Sequence, residues 1–217
     1  MLGMILPAGV ESQECYGAAP GGLLFPEEER VIADAVPARR RDYAAVRSCA
    51  RACLERLGYP PAPILSGVGG APGWPTGVQG SKTHCTGYAA AAVGTVSRIS
   101  AIGIDAEPDM PLPDGVLDLV ATPAEHDHLA VIPTTQDSPN WDRLLFSAKE
   151  AVYKTWFPLV GEWLDHQDAQ IIIDPHNRTF TAQLSRDGLI IRGHHIRRLH
   201  GHWAHKQGIL VTAVVLD

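Results

Sequence analysis

The chain lacks the features that mark specialised protein classes. Its 217 residues hold four cysteines (Cys15, Cys49, Cys53 and Cys85), too few for the disulfide framework of a small secreted domain. No Cys/His set has zinc-ligand spacing, and Cys49 and Cys53 lie four apart in a helical pattern, so buried, reduced thiols are expected. Basic charge is not in excess: 18 Lys and Arg face 24 Asp and Glu, a formal charge of −6. That excludes a nucleic-acid binder with a broad basic surface and leaves room for a local basic pocket. No apolar run is long enough to span a membrane. The first one has no basic flank and is cut by Pro7 and Glu11, so neither a secretory signal nor a membrane anchor is expected, and a cytoplasmic location follows. Internal repeats and low-complexity segments are also missing.

What is present is an ordinary globular composition, 45% hydrophobic and 19% charged, long enough for one large domain or two small ones. Pro26 followed by Glu27, Glu28 and Glu29 predicts a helix start, with proline in the first position and carboxylates in the positive first turn. Residues 38–57 continue as a second helix closed by Gly58 and Pro60, with Arg39, Arg40, Arg47 and Arg51 on its polar face. A solvated basic face explains Arg51 best; four arginines so close together in an acidic chain also suit an anion site. Turns fill 67–80, and 87–94 is a small-residue segment, buried as strand or helix. A short inner strand at 100–105 stops at Pro108. Thr122, Pro123 and Glu125 open another helix with a capping box. A helix over 139–157, with Trp141, Leu145, Ala148, Val152 and Trp156 as its apolar stripe, is ended by Pro158. Strands at 169–174, 178–184 and 208–216 suggest an antiparallel sheet. Because strands and helices do not alternate regularly, the fold class is α+β.

Two patterns carry chemistry. Asp105 and Glu107 stand two apart at a strand end, so both carboxylates project to one side and repel unless a cation or a shared proton relieves them. Hard oxygen ligands without a neighbouring histidine suit Mg²⁺ better than zinc, although such pairs on loops are usually just solvated. On the long helix, Glu150 and Lys154 are four apart and share a face away from the apolar stripe. The same spacing makes the commonest surface ion pair, worth only ~0.2–0.5 kcal/mol. His84 follows the glycine-rich turns, where a lone histidine is more often structural than catalytic. His194, His195, His200, His202 and His205 match no standard metal spacing and read as a surface stretch.

The segments Ile102-Gly103-Ile104-Asp105-Ala106-Glu107 and Phe146-Ser147-Ala148-Lys149-Glu150-Ala151-Val152-Tyr153-Lys154 resemble the two signatures of the 4′-phosphopantetheinyl transferase superfamily, in its surfactin/enterobactin-synthetase type. The run Gly67-x-x-Gly70-x-Pro72-x-Trp74-Pro75, the block Ser81-Lys82-Thr83-His84 and the arginine helix at 39–47 match in order. The resemblance runs from about residue 25 to the C-terminus and is nearest to actinobacterial members.

The resemblance implies two similar α+β halves related by a pseudo-twofold, 1–108 and 109–217, with a ligand cleft between them. The first half would bind the nucleotide of coenzyme A and carry the first metal carboxylates; the second would carry the catalytic helix and the docking surface. It implies that Asp105, Glu107 and Glu150 hold Mg²⁺ and that coenzyme A is the co-substrate. Arg39 or Arg40, Arg47, Thr83 and His84 would meet the phosphates and nucleotide, and Ser66, Gly67 and Gly69 would line the adenine end. Glu150 would take the proton of the accepting serine, and Lys149 and Lys154 would offset charge on the departing 3′,5′-ADP. The implied partner is an apo acyl or peptidyl carrier protein of fatty-acid, polyketide, peptide or siderophore synthesis, docking on a patch with Leu117, Leu119 and Val120. No nucleic acid or membrane is involved, and a monomer is expected. Many relatives carry a lysine in the turn before the Gly-x-Pro element where this chain has Ser66 and Gly69; Lys82 is the candidate to replace it. Two competing readings use the same residues: a metal-dependent phosphohydrolase acting on a nucleotide, and an inactive carrier- or nucleotide-binding module.

Overall fold

A computed structural model describes residues 1–17, 22–187 and 189–217. The first half holds β1 (Glu11–Tyr16), α1 (Pro26–Val31), the twenty-residue α2 (Pro37–Arg56), β2 (Val78–Cys85) and β3 (Tyr88–Thr95). Its antiparallel sheet has the order β1-β3-β2. The second half begins with β4 (Ala101–Pro108), followed by α3 (Val116–Val120), α4 (Pro123–Val131) and the twenty-residue α5 (Trp141–Val160). It ends with β5 (Ala169–Asp174), β6 (Thr179–Leu184), β7 (Ile190–Ile191), β8 (His194–His195), β9 (Arg198–Lys206) and β10 (Ile209–Leu216). Its main sheet has the order β4-β10-β9-β6-β5, antiparallel throughout. Each half thus lays one long helix across one antiparallel sheet.

Alternation along the strands stacks these parts into four layers. One face of β3, with Ala91 and Val93, packs on Cys49, Ala50 and Cys53 of α2. The other face, with Ala90 and Ala92, meets Ile102, Ile104 and Ala106 of β4 and Val211 and Ala213 of β10. The far face of the second sheet buries Leu210 and Val214 against Leu144, Leu145, Ala148 and Val152 of α5. Residues 87–94 are therefore largely a strand, whose alanines let two sheets pack closely. A boundary near residue 108 would leave β4 in the first half. Instead β4 pairs with β10 from Ala101 to Pro108 and lies in the second sheet, because that is where its antiparallel partner is.

The helix starts at Pro26 and Thr122 occur as expected, the latter with both arms of its capping box. Pro158 does not end α5. It removes only the bond to the Lys154 carbonyl, and the helix runs on to Val160 before Gly161 turns out of it at φ 75°. The histidine-rich surface stretch includes β9, with His200 and His202 on its exposed face and Leu199 and Trp203 buried on the other.

Candidate active site

The site forms where β4 passes under α5. The odd-numbered residues of β4 face the helix. A Cβ on Gly103 would collide with the Ala151 carbonyl and the Thr155 hydroxyl, so glycine is what lets strand and helix approach this closely. The next two odd residues, Asp105 and Glu107, are thereby carried against a polar stripe of α5: Arg143, Ser147, Glu150 and Lys154.

Asp105 is buried and fully engaged. Its Oδ1 accepts from Lys154 Nζ at 2.6 Å and from Thr83 Oγ1 at 3.2 Å, and its Oδ2 accepts from Ser147 Oγ at 2.8 Å. Arg143 Nη1 donates to Glu107 Oε2 at 3.0 Å. Glu150 is half-buried with no hydrogen-bond partner among the described residues. Burial pushes the Glu150 carboxyl above the usual carboxylate range; Lys154 opposes that rise and the Asp105 charge adds to it. Glu107 is raised for the same two reasons, burial first and Asp105 second, with Arg143 offsetting part. The surface pair allowed by the spacing of Glu150 and Lys154 does not form: Lys154 reaches across to β4.

Cations gather on the other side. Arg39, Tyr43 and Arg47 make one stripe of α2, four residues apart, facing Lys82 and His84 on the α2 side of β2. Arg39 Nη1 meets His84 Nε2 at 3.0 Å. Burial and then the Arg39 charge hold the His84 imidazole below its ordinary range, which keeps Nε2 free to accept. Arg47 is almost wholly buried, its guanidinium 3.1 Å from the centre of the Tyr43 ring and its Nε on the Ile64 carbonyl at 3.0 Å. Its Nη2 and the Tyr43 hydroxyl have no partner among the described residues. Lys82 is held down to about 8 by burial and by the charges of Arg47, Lys154 and Arg39.

A cleft of about 150 Å³ opens here, walled by Gly69–Pro72, by Gly80, Ser81 and Lys82 of β2, and by Glu150, Tyr153, Lys154, Phe157 and Pro158 of α5. Lys82 of the first half and Glu150 and Lys154 of the second thus meet at one opening. The three carboxylates fit a hard divalent ion in their chemistry, all oxygen and mutually repelling. They do not form a ready cage: no three such donors among the described residues are arranged to hold a metal. Lys154 and Arg143 occupy the oxygens of Asp105 and Glu107 that an ion would need.

Several expected contacts are corrected. Lys149 does not line the cleft: it is buried in an ion pair with Glu125 at 2.9 Å and donates to the carbonyls of His166 and Ala169. Arg40 bonds the carbonyls of Ile32 and Ala33 at the end of α1, whereas Arg39 meets His84. The Thr83 hydroxyl is used on Asp105 and on the amide of Ala106. Arg51 is not simply solvated; it grips the buried Glu28 at 2.9 Å. Ser66 and Gly67 are exposed, and Gly69 is required because a Cβ there would strike the Phe157 ring. In the docking patch only Leu119 is exposed, Val120 being buried and Leu117 packed on the core. The α5 stripe at 143, 147, 150 and 154 was visible as a helical period, and would have found Arg143 and Ser147. Nothing local marks Glu125 as the partner of Lys149.

Residues 27–94 match the model of the 4′-phosphopantetheinyl transferase N-terminal domain, and residues 101–207 match that of the 4′-phosphopantetheinyl transferase superfamily. The chain is 46% identical to 4′-phosphopantetheinyl transferase Svp of Streptomyces mobaraensis over 219 residues, covering all of this chain and 89% of that one. It is 44% identical to 4′-phosphopantetheinyl transferase PptT of Mycobacterium tuberculosis over 225 residues, covering all of this chain and 98% of that one. Enterobactin synthase component D of Escherichia coli (strain K12) is 31% identical over 182 residues, or 80% of this chain and 76% of that one.

Proposed function

Since the chain belongs to the 4′-phosphopantetheinyl transferase superfamily and is an enzyme of that activity, we propose how its own residues divide the work of moving the phosphopantetheine arm from coenzyme A to a carrier serine. The serine Oγ attacks the phosphorus next to pantetheine. A P–O bond forms, the bond to 3′,5′-ADP breaks, and the serine proton goes to Glu150. Support for that base is its partner-free carboxylate at the cleft, raised by burial and by Asp105. Arg39, His84 and Arg47 receive the nucleotide's phosphates. The Ser66–Gly70 backbone lines the adenine end, and Lys154 offsets charge on the departing nucleotide. Asp105, Glu107 and Glu150 are the residues that would hold Mg²⁺, which when bound neutralises charge on the diphosphate. For that, Lys154 and Arg143 would turn from the carboxylates toward the incoming anion.

The partner in this reading is an apo acyl or peptidyl carrier protein, and the enzyme works as a monomer because both walls of the cleft come from one chain. No helix among the described residues is long and apolar enough to cross a membrane, which is compatible with a cytoplasmic carrier. The observation that carries the reading is the contact of Lys154 with Asp105 beside Glu150, which ties α5 to the signature strand at the mouth of the cleft. Membership of the family disfavours the hydrolase and the inactive module. The test is incubation with coenzyme A, Mg²⁺ and an apo carrier protein. The carrier gains about 340 Da, the mass of the arm; nucleotide consumed with no mass added to the carrier overturns the reading.

A further inference from the structure

Of the charged residues of the cleft wall, Lys154 is paired, whereas Lys82, like Glu150, has no ion-pair or hydrogen-bond partner among the described residues. Its neighbours on β2 are both in use: Ser81 Oγ accepts from the Ile104 amide at 3.1 Å, and Thr83 holds Asp105. Lys82 points the other way, to the face shared with Ala91, where the charges of Arg47, Lys154 and Arg39 act on it. It makes no ion pair or hydrogen bond among the described residues. Lys154 has Asp105, Arg47 has Glu28 at 3.5 Å, and Arg39 has the His84 ring. An amine acted on by three cations and paired with no carboxylate is unfavourable in the empty protein, and its repulsion is relieved when an anion enters. Arg47 Nη2, buried and without a partner among the described residues, is a second unsatisfied donor on the same side.

The position of the amine indicates which anion. Lys82 lines the cleft together with Glu150 and Lys154, whereas Arg39 and His84 do not line it. The group that reacts beside Glu150 is the donor's diphosphate; the 3′-phosphate hangs from the far side of the nucleotide's ribose and takes no part in the bond exchange. We propose that Lys82 is a diphosphate-binding residue that seats the pantetheine donor in the cleft and sets its KM. This rests on the transferase reading above. Lys82 touches the part of the donor common to coenzyme A and dephospho-coenzyme A, so both gain equally from it. It plays no part in proton transfer, so its contribution falls on binding rather than on turnover.

The test compares wild type with Lys82→Met and Lys82→Arg, using coenzyme A and dephospho-coenzyme A as donors and measuring KM, kcat and the melting temperature. In Lys82→Met, KM rises about tenfold for both donors, the size expected for one lost charge-assisted contact, while kcat stays within about twofold. Its melting temperature holds or rises, because a poorly compensated cation is removed; a merely structural lysine would lower it. Lys82→Arg keeps KM within about threefold of wild type. An unchanged KM in Lys82→Met overturns the proposal. So does a rise confined to coenzyme A, which would put the amine on the 3′-phosphate, or a fall in kcat alone. Wild type without transfer activity would instead sink the transferase reading.

Discussion

Lys154 of α5 donates to Asp105 of β4 at 2.6 Å and leaves Glu150, one turn back on its own helix, without a partner among the described residues. A helix alone would favour the Glu150–Lys154 pair. The close passage of β4 offers Lys154 a buried carboxylate instead, and the carboxyl left over is the one facing the cleft.

Gly103 is what permits that passage. Gly103→Ala places a methyl group on the Ala151 carbonyl, in contact with backbone that has little room to yield. We expect a stability loss of ~1–3 kcal/mol by denaturant unfolding, with transfer falling further as Asp105 and α5 are forced apart. Wild-type stability in this variant would show that the strand and helix are looser than described.

Asp105→Asn keeps the shape of the side chain and removes its charge. Transfer should fall by about a hundredfold or more, since the residue proposed to hold the ion and fix Lys154 loses its anionic oxygens. Asp105 is buried and accepts three hydrogen bonds, and one of its oxygens becomes an N–H donor, so a stability loss of ~1–3 kcal/mol accompanies the fall in rate. Initial rates and chemical denaturation together separate the two effects.

Lys149 divides the motif from the fold. Lys149→Met leaves Glu125 as a buried charge without its cation, and the carbonyls of His166 and Ala169 without their donor. A loss of ~3–5 kcal/mol is expected, with KM for coenzyme A unchanged in the protein that remains folded. A raised KM in a stable variant would return Lys149 to the phosphates.

Lys82 gives stability a pH signature. Its amine is held down to about 8 in the folded protein, against ~10.4 in an unfolded chain. Between those values the unfolded state binds more protons, so this residue's contribution to stability rises with pH. The advantage of Lys82→Met over wild type should therefore be largest near neutrality and shrink toward pH ~10. An advantage that does not vary with pH would mean that the amine titrates normally.

Much of this was legible in the sequence, and the rest was hidden for physical reasons. Asp105 and Glu107 share a side because strands alternate, and the α2 and α5 stripes follow from helical period, so the α+β class and the candidate carboxylates could be read directly. Sequence spacing could not show that β4 crosses α5, because that depends on Gly103 meeting Ala151 across the chain. Nor could it choose between Arg39 and Arg40, a choice made by the end of α1, or reveal that Lys149 pairs with Glu125. Val120 looks as available as Leu119 in the sequence, yet only Leu119 escapes the core.

The most direct measurement is the initial rate at which Glu150→Gln loads an apo carrier under saturating coenzyme A and Mg²⁺. With the proton acceptor and one anionic oxygen removed from the cleft, the rate should fall at least about a hundredfold while the fold and melting temperature persist. A rate within about threefold of wild type would contradict the assignment of Glu150 and the chemistry built on it.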